Sequence, residues 1–465
     1  MREKGRTMPY RRWITLAAAA LLLLSAEGRA FAATIKAVTI VSEPAPSGGL
    51  YKKFVKRGPA VGANNGERVV FEGLSAVPKV KGLYAHDPDG GASLIAQKSG
   101  PAPDAKIFKT FDKRFVNPSI DSTGTIGLEA KLKQGFGEGI YLRKAGDTSL
   151  STTARTGDVA VGLASGFLKR FSYTEPIGLV ATTAVTFIAT ISDMPNVGGL
   201  DVDQVIYSCA GGDLDCHAGT GTLTPLVTLQ DPVDDRPGQE ICSISHLAGS
   251  EYGIAFRAEI AADCVLGPTT QGVFRKAFGV PAGSVQTVAL VGEPAEPAMS
   301  TYTSFRRAID INNDGTVAFR ARWGSTLFTG VRTTQFICDP ATCPSAPAEE
   351  AVTVGDLLPG GNAIKAMENP KTVISDAGDL AFFARSKGPL GGQKGVYIRR
   401  ANGTIETVAD KGDVAPTLNV MDPVANFAAF SKGVAMSDDG RVAFRAKIKR
   451  SAGTQKTRQG IFVFE

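Results

Sequence analysis

One nine-residue pattern constrains this chain more than any other feature. It reads Ile374-Ser375-Asp376-Ala377-Gly378-Asp379-Leu380-Ala381-Phe382, and again Ile311-Asn312-Asn313-Asp314-Gly315-Thr316-Val317-Ala318-Phe319. A third copy runs from Met436 to Phe444, and looser copies end at Phe71, Leu128, Phe187 and Phe256. Each copy is an apolar run, a turn of Asn, Asp or Ser closed by Gly, and a second apolar run. That is a β-hairpin, with Gly supplying the positive φ that the tight turn demands. The copies recur at steps of 57, 59, 69, 63, 63 and 62 residues. The third copy lacks the turn residues, having Ala181-Thr182-Thr183, and its second strand is placed at Ala184–Ala189.

Two more strands follow each hairpin. The third is Gly82-Leu83-Tyr84, Gly139-Ile140-Tyr141, Val205-Ile206-Tyr207, Gly272-Val273-Phe274, Gly330-Val331, Gly395-Val396-Tyr397 and Gly460-Ile461-Phe462. The fourth resembles Glu406-Thr407-Val408-Ala409, followed by Gly412-Asp413 and Pro416. A four-stranded unit of this size cannot bury its own core, so the units stack on one another. Radial stacking of seven such sheets is a seven-bladed β-propeller in the all-β class. The chain's two ends support a closed ring. The last copy stops after its third strand, at Phe462-Val463-Phe464-Glu465, and Ile35–Pro46 matches Ile405–Pro416 in register. The expected ring is therefore closed by the N-terminal strand, which completes the last blade and leaves no open sheet edge.

Residues 1–32 read as a secretory signal peptide. Arg2, Lys4, Arg6, Arg11 and Arg12 precede an apolar run, and Ala30-Phe31-Ala32 offers a cleavage site. Arg11-Arg12 fits an ordinary basic leader better than a twin-arginine signal. Residues 33–465 then form one propeller domain, exported to the periplasm or outside the cell, with no membrane span. The leader carries a net +4 of the chain's +6, leaving about +2. That is no global footprint for nucleic acid. Six cysteines behind an export signal predict disulfides. Cys209 and Cys216, like Cys338 and Cys343, flank a short loop after a third strand, which leaves Cys242 to pair with Cys264.

The two long loop types, between strands two and three and between blades, open on one face, opposite the tight turns. Long loops on a rigid scaffold are where binding residues sit. Basic residues gather there. Lys447, Lys449, Arg450, Lys456 and Arg458 fall around the last such loop, and Lys52, Lys53, Lys56 and Arg57 lead into blade one. Blades seven and one adjoin in a ring, so the two groups merge into a concavity that attracts an anionic glycan or an acidic envelope protein. Lys109, Lys113, Arg114, Lys169 and Arg170 lie in the next connections.

Other constellations favour plain structural roles. The recurring acids Glu43, Asp158, Glu293, Asp356 and Asp413 sit before Pro or at turns, where a carboxylate caps backbone N–H groups. Asp310-x-Asn312-x-Asp314-Gly315 resembles half of a calcium loop, but its twelfth position is Ala321, so a hairpin turn is the better reading. Arg257, Arg320 and Arg445 share one repeat position and are expected between blades, each guanidinium paired to a carboxylate. His217 follows a disulfide cysteine and His246 falls at an expected turn, both at the surface. No catalytic constellation, metal site or cofactor motif emerges.

The copies ending at Phe319, Phe382 and Phe444 resemble a group of bacterial exported proteins defined by tandem Asn-x-x-Gly-x-x-Ala-Phe repeats, the choice-of-anchor tandem repeat group. The resemblance covers nearly all of residues 33–465. It implies export and a repeat architecture but carries no known biochemical role. Members often end in a surface anchor. This chain ends in a strand, which implies a freely soluble protein. The function expected from all this is a binding or scaffold propeller. The alternatives are a polysaccharide hydrolase or lyase using channel carboxylates and basic residues, and a structural surface protein.

Overall fold

The computed structural model describes residues 34–465, apart from residues 104, 134, 136, 164 and 344 and the segments 55–58, 62–67, 88–90, 112–118, 179–182, 196–200, 212–213, 280–283, 297–299, 326–327, 369–371, 389–391, 417–423 and 451–456. Lys56, Arg57, Lys113, Arg114 and Lys456 lie outside the described residues, and for Arg450 only the backbone is described.

Seven small antiparallel sheets follow one another around a ring, and the described residues contain no helix. The protein is a seven-bladed β-propeller. Blade four shows the plan: Glu240–Gly249 innermost, then Gly253–Ala261, Thr270–Ala277 and Gln286–Leu290 at the outside. In blades one, two and six the inner strand is split in two: Tyr51–Phe54 with Ala60–Val61, Lys106–Phe111 with Ser119–Ile120, and Ala363–Met367 with Val373–Ile374. Blade seven is composite. Ala425–Met436, Val442–Arg450 and Arg458–Phe464 come from the end of the chain, and the outer strand is Ile35–Ile40. Ile35 pairs with Phe464 and Ile40 with Gly460, as the sequence match to Ile405–Pro416 requires.

The cores lie between blades. Two aromatic positions face each other in every blade but the second, where Leu128 faces Tyr141: Phe71 with Tyr84, Phe256 with Phe274, Phe382 with Tyr397, and Phe444 with Phe462 at 5.7 Å. In five blades a Gly two residues before the second aromatic makes room for its ring; blade three has Val205 there and blade five Thr334. A Cβ on Gly272 meets Phe274 Cζ at 2.7 Å, and one on Gly460 meets Phe462 Cζ at 2.6 Å. Blade five departs from the sequence expectation. Its third strand is Phe328–Cys338, and the residue opposite Phe319 is Phe336. The repeat position is therefore Thr334-Gln335-Phe336, not Gly330-Val331. Thr334 replaces the usual Gly, and its hydroxyl takes a 2.7 Å bond from Trp323 Nε1. In blade three the second strand is Thr183–Ser192, longer than expected, with Phe187 in its repeat position opposite Tyr207.

All three disulfides join the expected partners: Cys209–Cys216, Cys242–Cys264 and Cys338–Cys343. Such bonds persist in an oxidising environment. No helix among the described residues is long and apolar enough to cross a membrane.

Candidate functional site

Each inner strand begins at the long-loop face and ends at a tight turn, so its first residues ring the mouth of the central channel. All seven inner strands skip one residue in their pairing with strand two, at the same repeat position. The skipped residues are Lys52, Lys109, Lys169, Cys242, Thr303, Lys365 and Ala428. A bulge of this kind re-aims a side chain that the pleat would otherwise fix. Four of the seven are lysines, in blades one, two, three and six. Lys52, Lys109 and Lys365 are exposed, whereas Lys169 is 6 % exposed and sits 2.6 Å from Asp201 Oδ1.

Lys52 and Lys53 are therefore strand residues rather than loop residues as expected. Tyr51 and Phe54 are buried beside them, and the bulge lets two consecutive lysines face water. Arg445, Lys447 and Lys449 are likewise in a strand, within Val442–Arg450. Their neighbours Ala446 and Ile448 pack toward blade six, while Ala443 packs with the core shared with blade one. Period-two alternation thus turns Arg445, Lys447 and Lys449 toward blade one, and Lys447 and Lys449 are exposed. Arg458 begins the next strand, half-buried and opposite Ile448. Blade five adds Arg306 and Arg307, exposed in a second bulge between Phe305 and Ile309. Burial and the Arg322 charge lower the Arg306 pKa. Arg320, deeper and near Arg306, is lowered to about 10, chiefly by burial.

The repeated arginines lie between blades, and each donates to a main-chain carbonyl of the next blade; Arg445 Nη1 also lies 3.3 Å from Gln459 Oε1. Arg445 Nη1 donates to Phe54 O at 2.9 Å, Arg257 Nη1 to Phe305 O at 3.2 Å and Arg320 Nη1 to Met367 O at 3.4 Å. A third-strand side chain takes an inner-strand N–H, at Phe54 and Phe305 that of the same residue whose carbonyl the arginine holds. Gln459 Oε1 accepts from Phe54 N, Gln271 Oε1 from Phe305 N, Gln204 Oε1 from Ile244 N and Glu138 Oε2 from Phe171 N. Blades two, three, four, five and seven thus each grip the inner strand of the next blade where it enters the channel. The sequence signal for this grip is the Gln before Gly272 and Gly460. His246 is not in a turn. It lies in the inner strand of blade four, 5 % exposed, and burial with the Arg257 and Arg307 charges lowers its pKa to about 3.

The recurring acids cap turns. Ile40 N, Arg155 N, Leu290 N, Thr353 N and Asp410 N donate to Glu43, Asp158, Glu293, Asp356 and Asp413 at 2.7–3.1 Å. Asp231 does the same for Thr228 N. Asp158 also meets His217 Nδ1 at 2.8 Å. The position after the acid, or its equivalent, is an exposed apolar residue in all seven connections: Pro44, Pro101, Val159, Pro232, Pro294, Leu357 and Val414. Each pairs back to the start of the next inner strand. An apolar rim thus surrounds the basic mouth. Leu266, in the loop after blade four's second strand, is 85 % exposed on the same face.

The opposite end is built differently. The first turn residue caps its own turn: Thr316 N donates to Asn312 Oδ1 at 2.8 Å and Arg441 N to Ser437 Oγ at 3.0 Å. The second turn residue converges on the axis. Ser122 Oγ reaches Glu251 Oε1 at 3.3 Å, Glu251 N donates to Asn313 Oδ1 at 3.0 Å, and Asn313 N and Nδ2 donate to the Asp376 carboxylate at 3.0 Å. Asn313 Nδ2 also lies 3.5 Å from Asp438 Oδ2. Burial, then the Asp376 and Asp310 charges, push the Asp438 carboxyl up to about 7. Asp310 Oδ2 accepts from Ile374 N at 3.1 Å. Asp310 and Asn312 thus direct these oxygens at backbone amides, and Asp314 is exposed. Among the described residues, no group of three or more His, Cys, Asp or Glu is placed to hold a metal ion.

Residues 63–465 match a family described only as of unknown function, DUF7453. The chain belongs to that family. No curated protein matches it in sequence. Among solved structures it is similar to a prolyl endopeptidase (11 % identity, TM-score 0.43), covering 88 % of this chain but only half of that one. It is similar also to the polysaccharide lyase Uly1 (11 %, TM-score 0.42, covering 88 % and 90 % of the two chains). A third is the β-propeller domain of the trilobed protease from Pyrococcus furiosus (8 %, TM-score 0.41, covering 87 % and 93 %). At these identities the likeness is one of fold and says nothing of activity.

Proposed function

We propose that this protein is an exported binding propeller, periplasmic or extracellular, whose long-loop face takes an anionic glycan. The observation that carries this reading is the ring of inner-strand bulges with lysine in four of seven places. A bulge re-aims a side chain that the pleat would otherwise fix, and three of these four lysines, Lys52, Lys109 and Lys365, are exposed. Lys447, Lys449, Arg306 and Arg307 extend the same field between blades five and one. Cations around a concave, low-dielectric mouth focus their field on an incoming anion. The apolar rim supplies flat surface for the uncharged faces of sugar rings. The three disulfides fit an oxidising compartment.

Binding is favoured over catalysis by the placement of the acids. An enzyme acting on a glycan through acid and base needs a tuned carboxyl beside the bound chain. Asp438, pushed up to about 7 chiefly by burial, lies at the turn end of the channel, and Asp158, which burial also raises, is held on the mouth side by Arg155 N and His217 Nδ1. The test is retention on acidic-glycan beads. Lys52→Glu and Lys447→Glu together are expected to lower retention at least tenfold at low salt, with unmodified neutral-glycan beads as control. Equal retention of the variant and the natural protein would overturn the reading.

A further inference from the structure

Between blades two and three, on the long-loop face, lies a cavity of about 430 Å³ lined by Lys109, Lys131, Leu132, Glu138, Lys169 and Arg170 together with Gly135 and Gly137. Its size falls within the range of small-ligand sites, about 300–1,000 Å³. Two of the four bulge lysines, Lys109 and Lys169, open into this one space. Its cations are not equivalent. Lys131 is paired with Glu138 at 2.6 Å, and Lys169 is held by Asp201 at 2.6 Å. Arg170 is half exposed and stands 3.7 Å from Asp201. Lys109 is exposed and, among the described residues, has no hydrogen-bond or ion-pair partner. Even with Asp201 counted, the cations outnumber the acids four to two.

Gly137 lines the cavity at a point where the backbone leaves no room for a side chain. Gly137 has φ +73°, and a Cβ there would meet Thr156 Oγ1 at 2.4 Å. Glu138 also takes the Phe171 N–H, which fixes the strand carrying Lys169 and Arg170 against blade two. The floor is thus rigid and charged, while Lys109 and the Arg170 guanidinium remain available at the sides. A planar guanidinium matches a carboxylate edge-on, and a lysine opposite neutralises it as a point charge.

We propose that this cavity is a discrete subsite for one acidic sugar unit, its carboxylate held between Arg170 and Lys109 while Lys131 and Lys169 keep the floor positive. The proposal rests on the anionic-glycan reading above and narrows it to one place and one functional group. Calorimetric titration of the full-length mature protein with a uronic acid trisaccharide, its carboxyl-reduced neutral form and inorganic phosphate tests it. The acidic trisaccharide is expected to bind, the neutral form to bind at least tenfold more weakly, and Lys109→Ala and Arg170→Ala each to weaken the acidic ligand about tenfold. Both side chains face water, and an unchanged melting temperature verifies that the variants fold. Unchanged affinity in both variants would overturn the subsite. If bead retention is lost in the Lys52→Glu, Lys447→Glu protein while the cavity variants bind as before, the subsite is wrong and the broader reading stands. If the natural protein binds neither beads nor trisaccharide, both fall. Binding of phosphate as strongly as the trisaccharide also overturns it, because the site would then recognise charge without sugar.

Discussion

The two ends of the channel use the same repeat to opposite effect. At the turn end, polar side chains satisfy one another: Asn313 bridges Glu251, Asp376 and Asp438 across four blades. At the mouth, cations from neighbouring blades point at a shared space, and their number exceeds that of the acids beside them. Polar groups that have found partners hold a ring together. Cations crowded without matching acids weaken it by repulsion, so their presence at equivalent positions asks for a ligand. The difference teaches that the constant turn motif serves architecture, while the function of the face opposite depends on the residues the repeat leaves variable.

Charge substitutions separate the two ends most sharply. Asp376→Lys is expected to drop the melting temperature by many degrees, because it removes the acceptor of both Asn313 bonds and places a cation in a half-buried ring. Lys447→Glu should leave the melting temperature nearly unchanged and reduce bead retention. Thermal melts and retention on the same two proteins check this, and a reversed pattern breaks the comparison.

Titration of the turn end gives the next effect. Asp438 holds its proton more tightly in the fold than an ordinary carboxyl does, so its contribution to stability is present at low pH and is lost as pH rises to about 7. Asp438→Asn should raise the melting temperature at pH 8 and flatten the profile between pH 4 and 7. A parallel, merely shifted profile would show that other groups set it.

The clamp between blades comes third. Arg445→Ala removes a charged bond to Phe54 O and is expected to cost about 1.5–3 kcal/mol in denaturant unfolding, with Arg445→Lys intermediate. Hydrogen exchange should quicken at Phe54, on the mouth side, and not at Asn313. The smallest effect belongs to the rim. Asp413→Ala loses the cap on Asp410 N and should cost about 1 kcal/mol without altering retention.

Much of this fold is legible in the sequence because backbone constraints repeat. Gly378 and Gly440 hold φ near +81° and +89° in their turns, and only that geometry keeps the hairpins short. Ring closure is readable because Ile35–Ile40 must present to Arg458–Phe464 the same alternation that Ile405–Asp410 presents to Lys394–Arg399. Blade five misled where Thr334 took over the place of a Gly, since the room beside Phe336 is made there by a different local packing with Trp323. The site was less legible. A bulge breaks the period-two pattern, so Lys52, Lys109 and Lys169 looked like loop residues when they line the inner strands. The convergence of Ser122, Glu251, Asn313 and Asp376 was hidden as well, because the side chain at that turn position varies while only its location is constant.

The composite last blade has a consequence for synthesis. Among the described residues Ile35–Ile40 pairs with Arg458–Phe464, at the far end of the propeller's sequence, so it waits unpaired until that segment has been translated. Until Arg458–Phe464 arrives, two adhesive borders stand open, one at each extremity of the growing sheet series. A second, equally unfinished molecule offers the missing border just as well, and strand exchange between nascent copies is the hazard that this way of joining the circle creates.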